Sequence, residues 1–296
     1  MKDQDTRLEG DKLLFQHYLV VFLDILGQRS SLRNIRGLPT SETEEAGFIK
    51  TLKATIGKVD GLRTLFRNFF VAAKSCTPDT SLVPAPYQQE FVACQKSEAY
   101  FYGFSDSIII AVPLGSNDEN CTAMNGVYSA FIAASGISLM ALSANTALRG
   151  GLDVGIATQI KDRELYGPAL ERAYYLESNL AEYPRLAVGR ELIGYLRWVE
   201  TQRPKSRSGE VAQITAKFCR EMIVQDTDGL PMLDFMGTRA KEAADNSLKP
   251  DLVKQAGDFV ASQYKKYSDA ENHKLASRYF RLWRYFKSRA ELWGLQ

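Results

Sequence analysis

Val20-Val21-Phe22-Leu23-Asp24-Ile25-Leu26-Gly27 decides how this chain reads, and Tyr100-Phe101-Tyr102-Gly103-Phe104-Ser105-Asp106-Ser107-Ile108-Ile109-Ile110 is its counterpart further on. Both are runs of aromatic, β-branched and leucine side chains at strand length. Each carries a single aspartate and no other charge. A carboxylate beside that much apolar sequence is costly to desolvate unless something compensates it. Taken singly, either aspartate also reads as an ordinary turn residue or helix cap. Their joint occurrence points to a shared compensator, and a divalent cation is the one that carboxylates suit.

Working outward, strand alternation puts Phe22, Asp24 and Leu26 on one face and Leu23 and Ile25 on the other. The polar loop Gly27-Gln28-Arg29-Ser30-Ser31 follows. Its backbone N–H groups, the helix start beyond it and Arg29 suit phosphate, although Arg29 alone also reads as a solvated surface residue. Thr40 to Ala73 reads as one or two helices, opened by a Ser41–Glu44 capping box and carrying Phe48, Leu52, Ile56, Val59, Leu62, Leu65, Phe66 and Phe69 at helical spacing. Residues 75–90 hold three prolines and read as a loop. A strand–turn–strand unit follows, 98–104 and 107–112, with Ser105-Asp106 at the turn.

Asn120 to Asn145 reads as a long helix and Leu148 to Ala157 as a strand. Tyr166-Gly167-Pro168 opens a helix to about Asn179, and Arg185 to Val188 is a short strand. Beyond Trp198 the chain turns basic and polar over 201–209, and 221–236 alternates like a hairpin around Thr227-Asp228-Gly229. From Ala240 onward two helices are expected, the second rich in aromatic residues. The order implies an α+β fold with helices packed on one antiparallel-dominated sheet.

Composition narrows the chemistry. The chain has 296 residues, enough for a full core, and is 45% hydrophobic and 24% charged, as soluble globular proteins are. A formal charge of +2 gives no reason to expect nucleic-acid binding. No uninterrupted apolar run approaches the roughly 20 residues that span a bilayer. Met1 to Asp11 is polar and unlike a signal peptide, so a soluble cytoplasmic protein is expected. Cys76, Cys94, Cys121 and Cys219 lack CxxC spacing, which disfavours a zinc site or disulfide framework. His17 and His273 lie near opposite ends of the chain, which disfavours histidine-based nucleophilic catalysis. Carboxylates, metal and cations remain.

The residues carry a resemblance. Phe22-Leu23-Asp24-Ile25-Leu26-Gly27 resembles the F-x-D-I-x-G motif of class III nucleotidyl cyclases, and Gly103-Phe104-Ser105-Asp106-Ser107 resembles their second metal-aspartate hairpin. Arg149-Gly150-Gly151-Leu152-Asp153-Val154-Gly155 is similar to the strand that follows. Tyr166-Gly167-Pro168-Ala169-Leu170 through Glu177 falls where that class carries its asparagine–arginine helix. The resemblance covers about residues 15–195 as a catalytic core with a ferredoxin-like sheet, leaving 196–296 as a hairpin and C-terminal helical extension. Among these cyclases the motifs look most like the bacterial Pycsar pyrimidine cyclases of anti-phage defence, whose cyclic UMP or cyclic CMP activates a separate effector protein.

The resemblance implies that Asp24, Asp106 and the carbonyl of Ile25 hold two Mn²⁺ or Mg²⁺ ions, and that a homodimer builds its sites between two chains. Glu171 and Tyr175 occupy the usual asparagine and transition-state arginine positions. Gly27, Arg29, Arg149 and Arg172 are then the candidates for the triphosphate. The purine-contacting lysine aligns with Tyr100 or Tyr102, and its acidic partner with Glu164. Loss of that lysine argues for UTP or CTP over ATP. Tyr100 and Tyr102 read equally as sheet aromatics. A purine cyclase, and a cyclase fold that binds nucleotide without turnover, remain as alternatives.

Overall fold

β1 (Phe15–Ile25), α1 (Glu42–Ser75), the hairpin β2 (Tyr100–Phe104) and β3 (Ser107–Pro113), α2 (Met124–Ser143) and β4 (Leu148–Ile160) follow one another as β-α-β-β-α-β. They belong to a computed structural model that describes residues 15–27, 37–75, 84–88, 98–115, 123–160, 164–204, 206–244 and 250–295. β1 is central, antiparallel to β3 on one side and β4 on the other, and β2 lies outside β3.

The chain continues through β5 (Glu164–Tyr166), which folds back on β4, and α3 (Pro168–Tyr175), which runs into a π-helical turn at Leu176–Leu180. β6 (Leu186–Val188), α4 (Arg190–Thr201), α5 (Arg207–Glu221), β7 (Ile223–Gln225), β8 (Pro231–Leu233), α6 (Thr238–Ala244), α7 (Pro250–Asp269) and α8 (His273–Arg289) complete it. Among the described residues the sheet order is β2-β3-β1-β4-β6-β8-β7, with β5 paired to β4 off that path. The β4–β6 pairing is parallel and the rest antiparallel, so the α+β sheet is mixed but mostly antiparallel.

Alternation along β1 sorts its residues onto two covered faces. Leu19, Val21, Leu23 and Ile25 meet Phe66 and Phe70 of α1 and Phe131 of α2. Tyr18, Val20 and Phe22 meet Ile109 of β3 and Ala169 and Ala173 of α3. Burial on both faces is why β1 reads as a continuous apolar run rather than an alternating one. By length and composition α2 is apolar enough to cross a membrane, but it is mostly buried here as a core helix.

α1 is a single helix of 34 residues, about 50 Å long. Its capping box is shifted by one: Ser41 Oγ accepts the Glu44 N–H, while the Glu44 carboxylate accepts the Thr40 N–H and hydroxyl, each at 2.8 Å. Those bonds, the backbone N–H first, hold the Glu44 carboxyl below its ordinary range. The apolar spacing has the right period throughout; the core buries Val59, Leu62, Phe66 and Phe70 and takes Leu65 and Phe69 in part, whereas Ile56 is 61% exposed.

The second half departs from expectation. α4 and α5 occupy most of Arg190 to Glu221, for which the sequence suggests no helix, and overlap the basic, polar stretch 201–209 only at its ends; three helices follow β8 instead of two. In α5 the buried stripe is Ser208, Val211, Thr215, Ala216, Phe218 and Cys219, too polar for its periodicity to stand out. β7 and β8 join the main sheet, and residue 195 lies inside α4. α8 is tied down by Asp234, which accepts from the Tyr285 hydroxyl at 2.6 Å and from Arg289 at 2.7 and 3.1 Å. The α8 aromatics Phe286 and Tyr285 therefore pack on their own chain, with Trp293 beside them.

Candidate active site

Register sets the geometry. Asp24 lies opposite Ser107 on β3 and opposite Arg149 on β4. Asp106 immediately precedes Ser107, in the two-residue turn closed by the Phe104–Ser107 pair. The two aspartates, separated in sequence by α1, thus reach the same end of neighbouring central strands. Directly opposed residues in such a ladder have Cβ atoms about 5 Å apart. Gly27 ends this edge with φ +90°, a conformation other residues adopt at a cost, and the Leu26 N–H still pairs with the Ala147 carbonyl at 2.9 Å.

Arg149 is the cation that Asp24 meets. Its Nη2 lies 3.6 Å from the Asp24 carboxylate, and its Nε contacts the carboxylate of Glu177, which is 2% exposed. Glu177 comes from the π-helical turn after α3. It reaches Arg149 because Gly151 lets that turn settle onto β4: a Cβ there would overlap the Ala173 carbonyl and stand 2.6 Å from Leu176 Cβ. Two carboxylates facing one guanidinium leave one net negative charge before Asp106 is counted, which suits a divalent cation.

The donor set fits Mg²⁺ or Mn²⁺. Such ions commonly take one or two carboxylates and fill their shell with phosphate and water oxygens. Asp24, Asp106 and the Ile25 carbonyl have that character. Among the described residues no three His, Cys, Asp or Glu side chains gather into a protein-only cage.

The hairpin tip is gripped from α1. Arg63 Nη2 donates to the Ser107 carbonyl at 3.1 Å and reaches the Ser105 carbonyl at 3.5 Å. Arg63 and Asp106 line a groove of about 670 Å³ together with Lys53, Ile56 and Asp60. Sequence reading missed Arg63, which sits between the buried Leu62 and Phe66 of an apolar stripe. The only trace was Gly103 inside a strand run, a mark of close approach.

The remaining sequence candidates fall in different places. Arg172 donates to the Val154 carbonyl at 2.7 Å and lies 3.4 Å from Asp153. Asp153 is 3% exposed and accepts the Leu192 N–H at 2.8 Å, capping α4. Burial pushes the Asp153 carboxyl up, against the Val154 and Leu192 N–H groups and the Arg172 charge. Asp153 faces Val20, four residues back from Asp24, so the structure does not bring Arg172 to the aspartates.

Tyr102 and Tyr100 share a face with Phe22 and Asp24, in register with Ile109 and Ala111. Glu164 is exposed and pairs with Ile160, beyond the Phe15–Thr158 pair, so at about 3.3 Å per residue along β4 it lies roughly 36 Å from Asp24. Glu171 and Tyr175 are exposed on α3. Arg29, with Gln28, Ser30 and Ser31 of the expected phosphate loop, lies outside the described residues.

No protein-family model matches this chain, and no curated protein matches it significantly.

Proposed function

We propose that this chain is a pyrimidine nucleotide cyclase, which converts UTP, ahead of CTP, into the 3′,5′-cyclic monophosphate and pyrophosphate. The product would serve as a second messenger for antiviral defence, acting on a separate effector protein. One observation carries the reading: Asp24 and Asp106 end neighbouring central strands of a β-α-β-β-α-β unit with strand order β2-β3-β1-β4, which suits the ferredoxin-like core that the resemblance to class III cyclases implies.

Asp24, Asp106 and the Ile25 carbonyl would hold the Mn²⁺ or Mg²⁺ ions. Bound there, the ions supply charge neutralisation of the triphosphate and acidify the attacking hydroxyl. The 3′-oxygen then forms its bond to the α-phosphorus as the bond to pyrophosphate breaks. Arg149 is the cation that contacts Asp24, and Glu177 orients it. It takes the role left open by Tyr175, stabilising charge that develops on the phosphoryl oxygens. Tyr100 and Tyr102 face the same side as Asp24, where a purine-reading lysine is missing.

Incubating the purified chain with each of the four nucleoside triphosphates and Mn²⁺, and identifying products by mass spectrometry, tests this directly. Cyclic UMP or cyclic CMP is the expected product. Absence of any cyclic product refutes the reading, and cyclic AMP or cyclic GMP moves it to a purine cyclase. Exposed Glu171 and Tyr175 in the asparagine and arginine positions favour a second reading, a nucleotide-binding module without turnover. Calorimetry with a nonhydrolysable UTP analogue separates the two, since metal-independent binding supports the module.

A further inference from the structure

We infer that Arg63 is a positioning residue for Asp106, locking the hairpin tip to α1; this deepens the cyclase reading and rests on it. The carbonyls that Arg63 grips, Ser105 and Ser107, flank Asp106 on both sides. Ser105 stands at φ +54°, a strained conformation for a serine, so the turn gains from an outside hold. The hold comes from a rigid element, because Leu62 and Phe66, on either side of Arg63, are buried in the core.

Gly103 completes the lock. The guanidinium lies where a side chain at Gly103 would stand, so an added Cβ would displace it. The colliding atoms are the far end of a flexible side chain, so Gly103→Ala evicts the guanidinium without forcing the strand apart. Arg63 Nε is buried with no hydrogen-bond partner, an expense that suits a site built for geometry more than for stability. A ligand held on a loose two-residue turn loses affinity and alignment together, since displacements near 1 Å cost about a hundredfold in rate.

Arg63→Ala, Arg63→Lys, Gly103→Ala and the Arg63→Ala/Gly103→Ala double variant of the full chain test this. Three readouts are the Mn²⁺ dependence of cyclisation, Mn²⁺ binding by electron paramagnetic resonance, and amide exchange at Ser107 to Ile109. Arg63→Ala and Gly103→Ala should each raise half-saturating Mn²⁺ by about tenfold, as loss of a supporting partner does. Their KM for nucleotide at saturating Mn²⁺ should stay unchanged, exchange at the hairpin should accelerate, and Arg63→Lys should recover part of the loss. The double variant should be no worse than the poorer single one. Wild-type Mn²⁺ dependence in Arg63→Ala, or additive losses, would overturn the inference. If the wild type makes no cyclic product, the cyclase reading falls, and Mn²⁺ binding with hairpin exchange judges the lock alone. Unchanged exchange, or a wild type that binds no Mn²⁺, then overturns it.

Discussion

Asp24, Arg149 and Glu177 form a short charge relay in which a buried carboxylate aims a guanidinium at an aspartate on the next strand. Asp106 is different: it sits on a turn, and its removal leaves the core intact. Asp106→Ala should therefore lower cyclisation by more than about a hundredfold, beyond the range seen for supporting partners of a metal. Its unfolding free energy should stay within about 0.5 kcal/mol of wild type by urea titration. A variant with full turnover refutes the metal assignment. A separate buried pair contributes a pH dependence in acid. Arg185, 1% exposed, contacts Asp226 and Asp228, and the Tyr183 hydroxyl donates to Asp226 at 2.5 Å. Burial pulls the Asp226 carboxyl up, but Tyr183, the Thr227 N–H and Arg185 together hold it below its ordinary range. A depressed carboxyl contributes stability above its unfolded pKa of about 3.9, and loses it as pH falls through the folded value. Asp226→Asn should cost about 3 kcal/mol at pH 7 and progressively less below pH 4, measured by urea unfolding across that range.

At the scale of elements, the contact of α3 and its π-helical turn with β4 decides whether Arg149 is aimed. Gly151→Ala drives a methyl into the Ala173 carbonyl and toward Leu176, and neither the strand nor the helix can yield cheaply. We expect about 2 kcal/mol of destabilisation, in the range of overpacked cores. The activity loss should exceed what that stability change explains, because Glu177 moves with the turn. Measuring kcat well below the unfolding temperature separates the two effects. None of this was visible in Gly150-Gly151 as letters. The capping box at Thr40, Ser41 and Glu44 was nearly visible: residue types and spacing were right, and only the partner of Glu44 was off by one. Local hydrogen bonds are written in adjacent residues, whereas the fit of a helix against a strand is written in neither.

Across the whole molecule, Glu164 and Asp24 stand at opposite ends of β1, so one chain cannot bring both to one nucleotide. If Glu164 reads the base, it does so for the site of a second copy. Equimolar mixing of an inactive Asp106→Ala chain with an inactive Glu164→Ala chain should then restore about a quarter of wild-type activity, as random pairing of a two-site dimer gives. No recovery on mixing removes Glu164 from the site. The sequence alone determined the central strand, the hairpin, α2 and the places of Asp24 at a strand end and Asp106 at a turn, because continuous apolar runs and turn residues report local conformation and burial directly. It missed α4, which buries only Leu192, Leu196 and Val199, and α5, whose buried positions include the polar Ser208 and Thr215. Only the tertiary structure decided that Arg149 and not Arg172 stands beside Asp24, and that Arg63 holds the hairpin. Those pairings depend on register and on where a helix crosses a strand. Such distances arise when the chain closes on itself, and no spacing along it records them.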